Sequence, residues 1–303
     1  MARKPPWLTA GAVAVLVVAD LVLVWLALQH VGDDGDRSPT DGARPASGPE
    51  SAAPPAGTTR PPTTGPVLLD AAADGTVVRA ARGRCTAAGG GVQPLSGVEV
   101  STDGGRSFER ADVGDELTDV LRVSATSARD ISVVGVGSTC AKAVYRSDDG
   151  GQSWAASPGA SDVWHLSLTD VDSVHAPTGR VATGCEVRAL STVGKAVARV
   201  LCNDDALRGT ADGGVTWVLL GELGGAVDVA YTTTADAWAL ATTADCAAAT
   251  WRTEDGGVDW RQTGCVAAGA DPQALSAAGD LQAVQVGGRM LVSTDQGRTF
   301  ARP

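Results

Sequence analysis

The chain of 303 residues is poor in several residue types. It has 3 His and 2 each of Met, Tyr and Phe, and its lysines are Lys4, Lys142 and Lys195 alone. With so few histidines and no CxxC pair, a zinc centre has almost no ligands to draw on. Basic residues total 24 against 35 acidic ones, a formal net charge of −11, which excludes the basic stripe that nucleic-acid binding calls for. The Gly-rich run at 89–91 lacks the helix and lysine that a phosphate-binding loop needs. No Ser elbow of the G-x-S-x-G type precedes a plausible helix. What is abundant is Ala, Gly, Val, Asp and Arg, the composition of a high-GC genome, which points to a high-GC Gram-positive bacterium.

One long apolar run is present, from Trp7 to Leu28. At about 1.5 Å per residue it reaches roughly 33 Å, enough for a bilayer core. A cleaved signal has a shorter apolar region and a small-residue cleavage site, and Ala27-Leu28-Gln29-His30 is a poor one. Residues 1–30 therefore read as a cytoplasmic stub and an uncleaved transmembrane anchor. Arg3 and Lys4 precede the run and Asp33, Asp34 and Asp36 follow it, so the positive-inside rule puts the N-terminus in the cytoplasm and the rest outside the cell. Asp20 interrupts the span at a cost of about 2.5–3.5 kcal/mol near a helix centre. Water or local thinning relieves such a charge, or a polar contact with a second membrane helix does. Residues 31–66 hold eight of the fifteen prolines and almost no large apolar side chain, the composition of an extended, disordered stalk.

Residues 67–303 carry a repeat. Ser101-Thr-Asp103-Gly-Gly105-Arg-Ser-Phe108 recurs as Ser147-Asp-Asp149-Gly-Gly151-Gln-Ser-Trp154. Thr210-Ala-Asp212-Gly-Gly214-Val-Thr-Trp217 and Thr253-Glu-Asp255-Gly-Gly257-Val-Asp-Trp260 follow, then Ser293-Thr-Asp295-Gln-Gly297-Arg-Thr-Phe300. The pattern is [ST]-x-D-x-G-x-[STD]-[WF], and both phenylalanines of the chain fill its last slot. Such a turn has its own chemistry. The carboxylate and hydroxyl satisfy turn backbone groups, the glycine permits positive φ, and the aromatic packs beside the corner.

This motif resembles the Asp box, or bacterial neuraminidase repeat, of sialidases, sortilin-type receptors and photosystem II assembly-factor-like propellers. The resemblance implies a β-propeller in which each box joins the third and fourth strands of a four-stranded antiparallel blade. It makes the five Asp residues structural. The Asp-to-Asp spacings of 46, 63, 43 and 40 residues suit propeller blades, and alternating runs precede each box. The expectation is five repeats with an insertion over 160–184, a degenerate sixth blade being the alternative.

Cys85, Cys140, Cys185, Cys202, Cys246 and Cys265 make an even set in a domain expected outside the cell, hence three disulfides. On the blade layout Cys185 starts a first strand antiparallel to the one ending at Cys202, and Cys246 and Cys265 flank one blade. Cys85 and Cys140 then tie neighbouring blades.

A sialidase needs a Tyr nucleophile with a carboxylate partner and an Arg cluster, and the family carries an Arg-Ile-Pro signature. That signature is missing, and Tyr145 and Tyr231 both fall within predicted strands. The reading is a non-catalytic protein- or glycan-binding or scaffold module at the cell envelope, without a cofactor. A sialidase-like glycosidase and an assembly factor for a membrane complex are the alternatives. The least repeat-like stretches, 84–97 and 160–184, are the candidate contact surface, with Trp164, His165 and His175 as candidate contact residues.

Overall fold

In a computed structural model of the chain, residues 66–85, 96–114, 116–160, 162–267 and 272–303 are described. The anchor expected over 1–30, its Asp20, and the stalk up to residue 65 lie outside them. Among the described residues there is strand and turn but no helix, and no helix long and apolar enough to cross a membrane.

The strands form six antiparallel sheets in chain order. Blade 1 is β1 (Val67–Ala71), β2 (Val77–Ala81), β3 (Val98–Ser101) and β4 (Glu109–Arg110). Blade 2 is β5 (Leu117–Ala125), β6 (Ile131–Gly137), β7 (Lys142–Ser147) and β8 (Ala155–Pro158). Blade 3 has only β9 (His165–Leu166), β10 (Ser173–Ala176) and β11 (Gly179–Ala182). Blade 4 is β12 (Val187–Thr192), β13 (Ala198–Cys202), β14 (Ala206–Thr210) and β15 (Val218–Glu222). Blade 5 is β16 (Ala226–Tyr231), β17 (Ala237–Ala241), β18 (Ala248–Thr253) and β19 (Arg261–Ala267). Blade 6 is β20 (Pro272–Ala278), β21 (Leu281–Val286) and β22 (Arg289–Ser293), with a bridge from Val292 to Ala301 in place of a fourth strand.

The first strand of each blade is innermost and touches the first strands on either side, and β1 meets β20, closing the ring. The expected five repeats with an insertion are thus corrected to six blades. The stretch 160–184 builds blade 3, which runs straight from β11 into blade 4 and has no room for a box corner. No strand is shared at the closure, so blades 1 and 6 meet by packing and side-chain contacts rather than through a common sheet.

The core is divided. Six apolar clusters lie between successive blades, because a Val- and Ala-rich sheet with two buried faces hides them only against its neighbours. Val78, Val98 and Val100 of blade 1 meet Val120, Val123 and Tyr145 of blade 2, for example.

Each Asp box has one geometry. The first-position hydroxyl donates to the Asp carboxylate at 2.7–2.8 Å and accepts from the backbone N–H of the conserved-slot glycine at 2.7–3.0 Å. The carboxylate accepts from the seventh-position N–H at 2.9–3.0 Å. In four boxes it also accepts from that residue's hydroxyl at 2.5–2.6 Å. These bonds hold the carboxylates of Asp149 and Asp212 down to about 2.

The corner also joins blades. Gly105, Gly151, Gly214, Gly257 and Gly297 all have φ between +70° and +104°. A Cβ on each would run into the preceding blade: Met290, Val100, Val181, Leu207 and Trp238 respectively. The aromatic of every box packs into that same joint, Phe108 with blade 6 and Trp154 with blade 1. Trp217, Trp260 and Phe300 repeat this against blades 3, 4 and 5. Blade 3 has no box, so the joint between blades 2 and 3 lacks this clasp.

Two predictions follow from the corners. Gly104 has positive φ but open space where a Cβ would stand, whereas the Cβ position of Gly257 is filled by Leu207 and the Tyr231 hydroxyl. Gly104→Ala should cost about 1–2 kcal/mol for the left-handed backbone alone. Gly257→Ala should cost a further ~1–3 kcal/mol from overpacking, measured by urea unfolding. In the fourth box Asp259 replaces the hydroxyl residue and donates only its N–H to Asp255. Asp259→Thr adds the missing bond and removes a like charge, and should raise stability by about 1 kcal/mol, read as a higher Tm.

Candidate binding face and central channel

The six inner strands enclose a channel of about 1270 Å³. An inner strand is a sheet edge, and its channel-side N–H groups have no ladder partner. Side chains from neighbouring blades supply acceptors. Asp70 of β1 accepts from Ala125 N–H of blade 2 at 2.9 Å. Ser276 of β20 accepts from Ala71 N–H at 2.9 Å and donates to Asp70 at 3.0 Å, across the closing joint. Ser191 of β12 accepts from Tyr231 N–H at 2.8 Å, and Asp228 of β16 accepts from Leu275 N–H at 2.8 Å.

Where the Asp box is missing, Arg122 takes over. Its guanidinium donates to Trp164 O of blade 3 at 3.2 Å and to Thr192 Oγ1 of blade 4 at 2.7 Å.

Three inner strands thus carry a carboxylate: Asp70 between Leu69 and Ala71, Asp119 between Thr118 and Val120, and Asp228 between Val227 and Val229. Arg82 pairs with Asp119 at 3.0 Å. Asp70 lies in the field of Arg122, yet burial outweighs that charge and its hydrogen bonds and raises its pKa. Asp228 has bonds from Leu275 and Val229 N–H and no arginine. Burial pushes its carboxyl up to about 7. None of these residues was picked from the sequence, although an Asp in mid-strand between apolar neighbours was a visible signal.

The register places all three disulfides on one face. Val67 pairs with Ala81 at one end of blade 1, and Ala71 with Val77 at the other, beside the box corner. The end away from the boxes is where successive blades connect, and it forms one mouth of the channel, lined there by Pro66, Gly83 and Cys85. Cys85–Cys140 joins blades 1 and 2, Cys185–Cys202 secures the start of blade 4, and Cys246–Cys265 braces blade 5, the three pairs expected from the blade layout. Of the candidate loop 84–97, residues 86–95 lie outside the described residues.

The candidate contact residues of 160–184 sit inside blade 3 rather than on a loop. Trp164 is 3% exposed, meets Trp217 edge-on and donates its indole N–H to Lys195 O at 3.0 Å. His165 is fully buried and stacks on half-buried His175 with ring centroids 4.5 Å apart. Its Nδ1 lies 2.8 Å from Val163 O, which fixes the hydrogen there and leaves Nε2 to accept from Lys142 Nζ at 3.3 Å. Burial lowers His165 to about 4, and lowers His175 and Lys142 as well. The tyrosines lie in the blade joints: Tyr145 is buried between blades 1 and 2, and the Tyr231 hydroxyl donates to Gly256 O at 2.9 Å.

Among known proteins, the model of the BNR/Asp-box repeat matches residues 145–156. No curated protein matches the chain. YCF48 from Cyanidioschyzon merolae is 14% identical, over 77% of this chain and 96% of that one, with a TM-score of 0.45. An Aleuria aurantia lectin in complex with Fucα1-6GlcNAc is 10% identical over 76% and 91%, TM-score 0.46. A GH74 xyloglucanase from Xanthomonas campestris is 18% identical over 77% of this chain and 38% of that one, TM-score 0.33.

A pH dependence follows from His165. Its folded pKa lies below the ordinary 6.5, so the native state resists its protonation, and stability is lost as pH falls from 6.5 towards about 4. His165→Gln should lose that acid-limb decline, so that its stability deficit against the natural protein narrows with falling pH in urea titrations. The chain is a six-bladed β-propeller, and the corner of its second blade matches the BNR/Asp-box repeat.

Proposed function

We propose that this propeller is a non-catalytic protein- or glycan-binding or scaffold module, held outside the cell on the Pro-rich stalk by the anchor over residues 1–30. The observation that carries the reading is the face away from the boxes, which all three disulfides brace. Cross-linked loops meet a partner without the ordering cost that flexible ones incur. Six cysteines, all paired, also suit an oxidising compartment outside the cytoplasm. Assembly of a membrane complex is one form such a scaffold takes, with Asp20 as a contact for a partner helix. A sialidase-like activity is disfavoured by its own requirement, because both tyrosines are built into blade joints and the Tyr231 hydroxyl is spent on Gly256.

A photo-cross-linking residue in the full chain in native membranes tests the reading. Placed at exposed Ala244 on the mouth face it should give a partner adduct, and at exposed Arg106 on the box face it should not. Adducts from Arg106 alone would overturn the assignment of the face. No turnover of a fluorogenic sialoside is expected beside an active control sialidase, and turnover would overturn the non-catalytic reading.

A further inference from the structure

The three inner-strand carboxylates occupy similar settings and differ in one respect. Asp119 has Arg82 at 3.0 Å, and Asp70 has the charge of Arg122 and the Ser276 hydroxyl. Asp228 has two backbone N–H groups, from Val229 and Leu275, both at 2.8 Å, and no cation among the described residues. Each of its oxygens accepts one bond and keeps acceptor capacity towards the channel, which Asp228 lines. The apolar residues on its side of the strand are Val227 and Ala230 of β16 and Leu275 and Ala277 of β20, with the polar Ser276 between the last two. Four arginines also line the channel: Arg82 pairs with Asp119, Arg122 faces Asp70, Arg188 pairs with Asp205 and donates to Ala226 O on β16, and neither these nor Arg84 forms an ion pair with Asp228 among the described residues.

We propose that Asp228 is the anchor of a binding site in the channel for a linear alkylammonium group, such as a diamine or a lysine side chain. An ammonium head supplies donors to a carboxylate that lacks a cation, and a methylene stem suits the apolar wall beside it. A chain with a net charge of −11 also draws cations towards itself. The proposal deepens the binding reading above and rests on it only for entry through the mouth. The carboxyl titrates near neutrality when empty, so the site is at full strength above pH 7 and weakens as protons compete below it.

The test is calorimetric titration of the full chain in detergent at pH 8 with cadaverine, with the lysine tripeptide acetyl-Gly-Lys-Gly-amide, and with neutral 1-pentanol. Saturable binding of at least one amine and none of the alcohol is expected, at least tenfold weaker at pH 6. Tighter binding of cadaverine identifies a free diamine as the natural class, and of the tripeptide a lysine of a polypeptide. Asp228→Asn should weaken binding at least tenfold. Ala230→Lys places a cation two residues along the same channel-lining strand and should abolish binding, with an unchanged melting profile as proof of folding. No amine binding to the natural protein, or equal binding by both variants, would overturn the site. The titration reads the channel and the cross-links read the mouth, so failure of one leaves the other standing.

Discussion

The fold depends on one contact, the seating of each box glycine on the blade before it. A propeller sheet buries both faces only if it has a neighbour on each side, so no blade is complete alone. The box solves two problems in one corner. Its hydroxyl and carboxylate hold the turn, and the bare Cα of Gly257 or Gly297 lets the turn press against Leu207 or Trp238. A side chain at those positions would force blades apart, which is why the glycine and the aromatic travel together in all five copies.

The one joint without a box shows what replaces it. Between blades 2 and 3, polar contacts do the joining: Arg122 to Trp164 O and Lys142 to His165, while Arg122 also reaches past blade 3 to Thr192 of blade 4. Apolar packing is still there, with Leu121, Val134 and Val144 against Val163 and Leu168. This joint therefore combines a thinner clasp with a buried histidine and a half-buried lysine whose charge depends on pH.

The box corners were legible because every bond in them is local, within four residues. The disulfide partners were legible for a related reason: strand order fixes which ends lie side by side. Blade 3 was legible only as the alternative of a degenerate sixth blade, since it has no box, β9 is two residues long and β10 and β11 are four each. Trp164 and His165, candidates for contact in a stretch without a box, are core. The channel was hidden for another reason. Asp228 acts on Leu275 and Asp70 on Ala125, across separations of 47 and 55 residues, and only ring closure brings those partners together.

The two ends of the cylinder are secured by different chemistry. One rim is fastened by carboxylate-centred turns, the other by sulfur–sulfur bonds. A reductant can loosen only the second, and strong acid weakens chiefly the first. An environment that is harsh in one respect therefore leaves the fastening of one end intact.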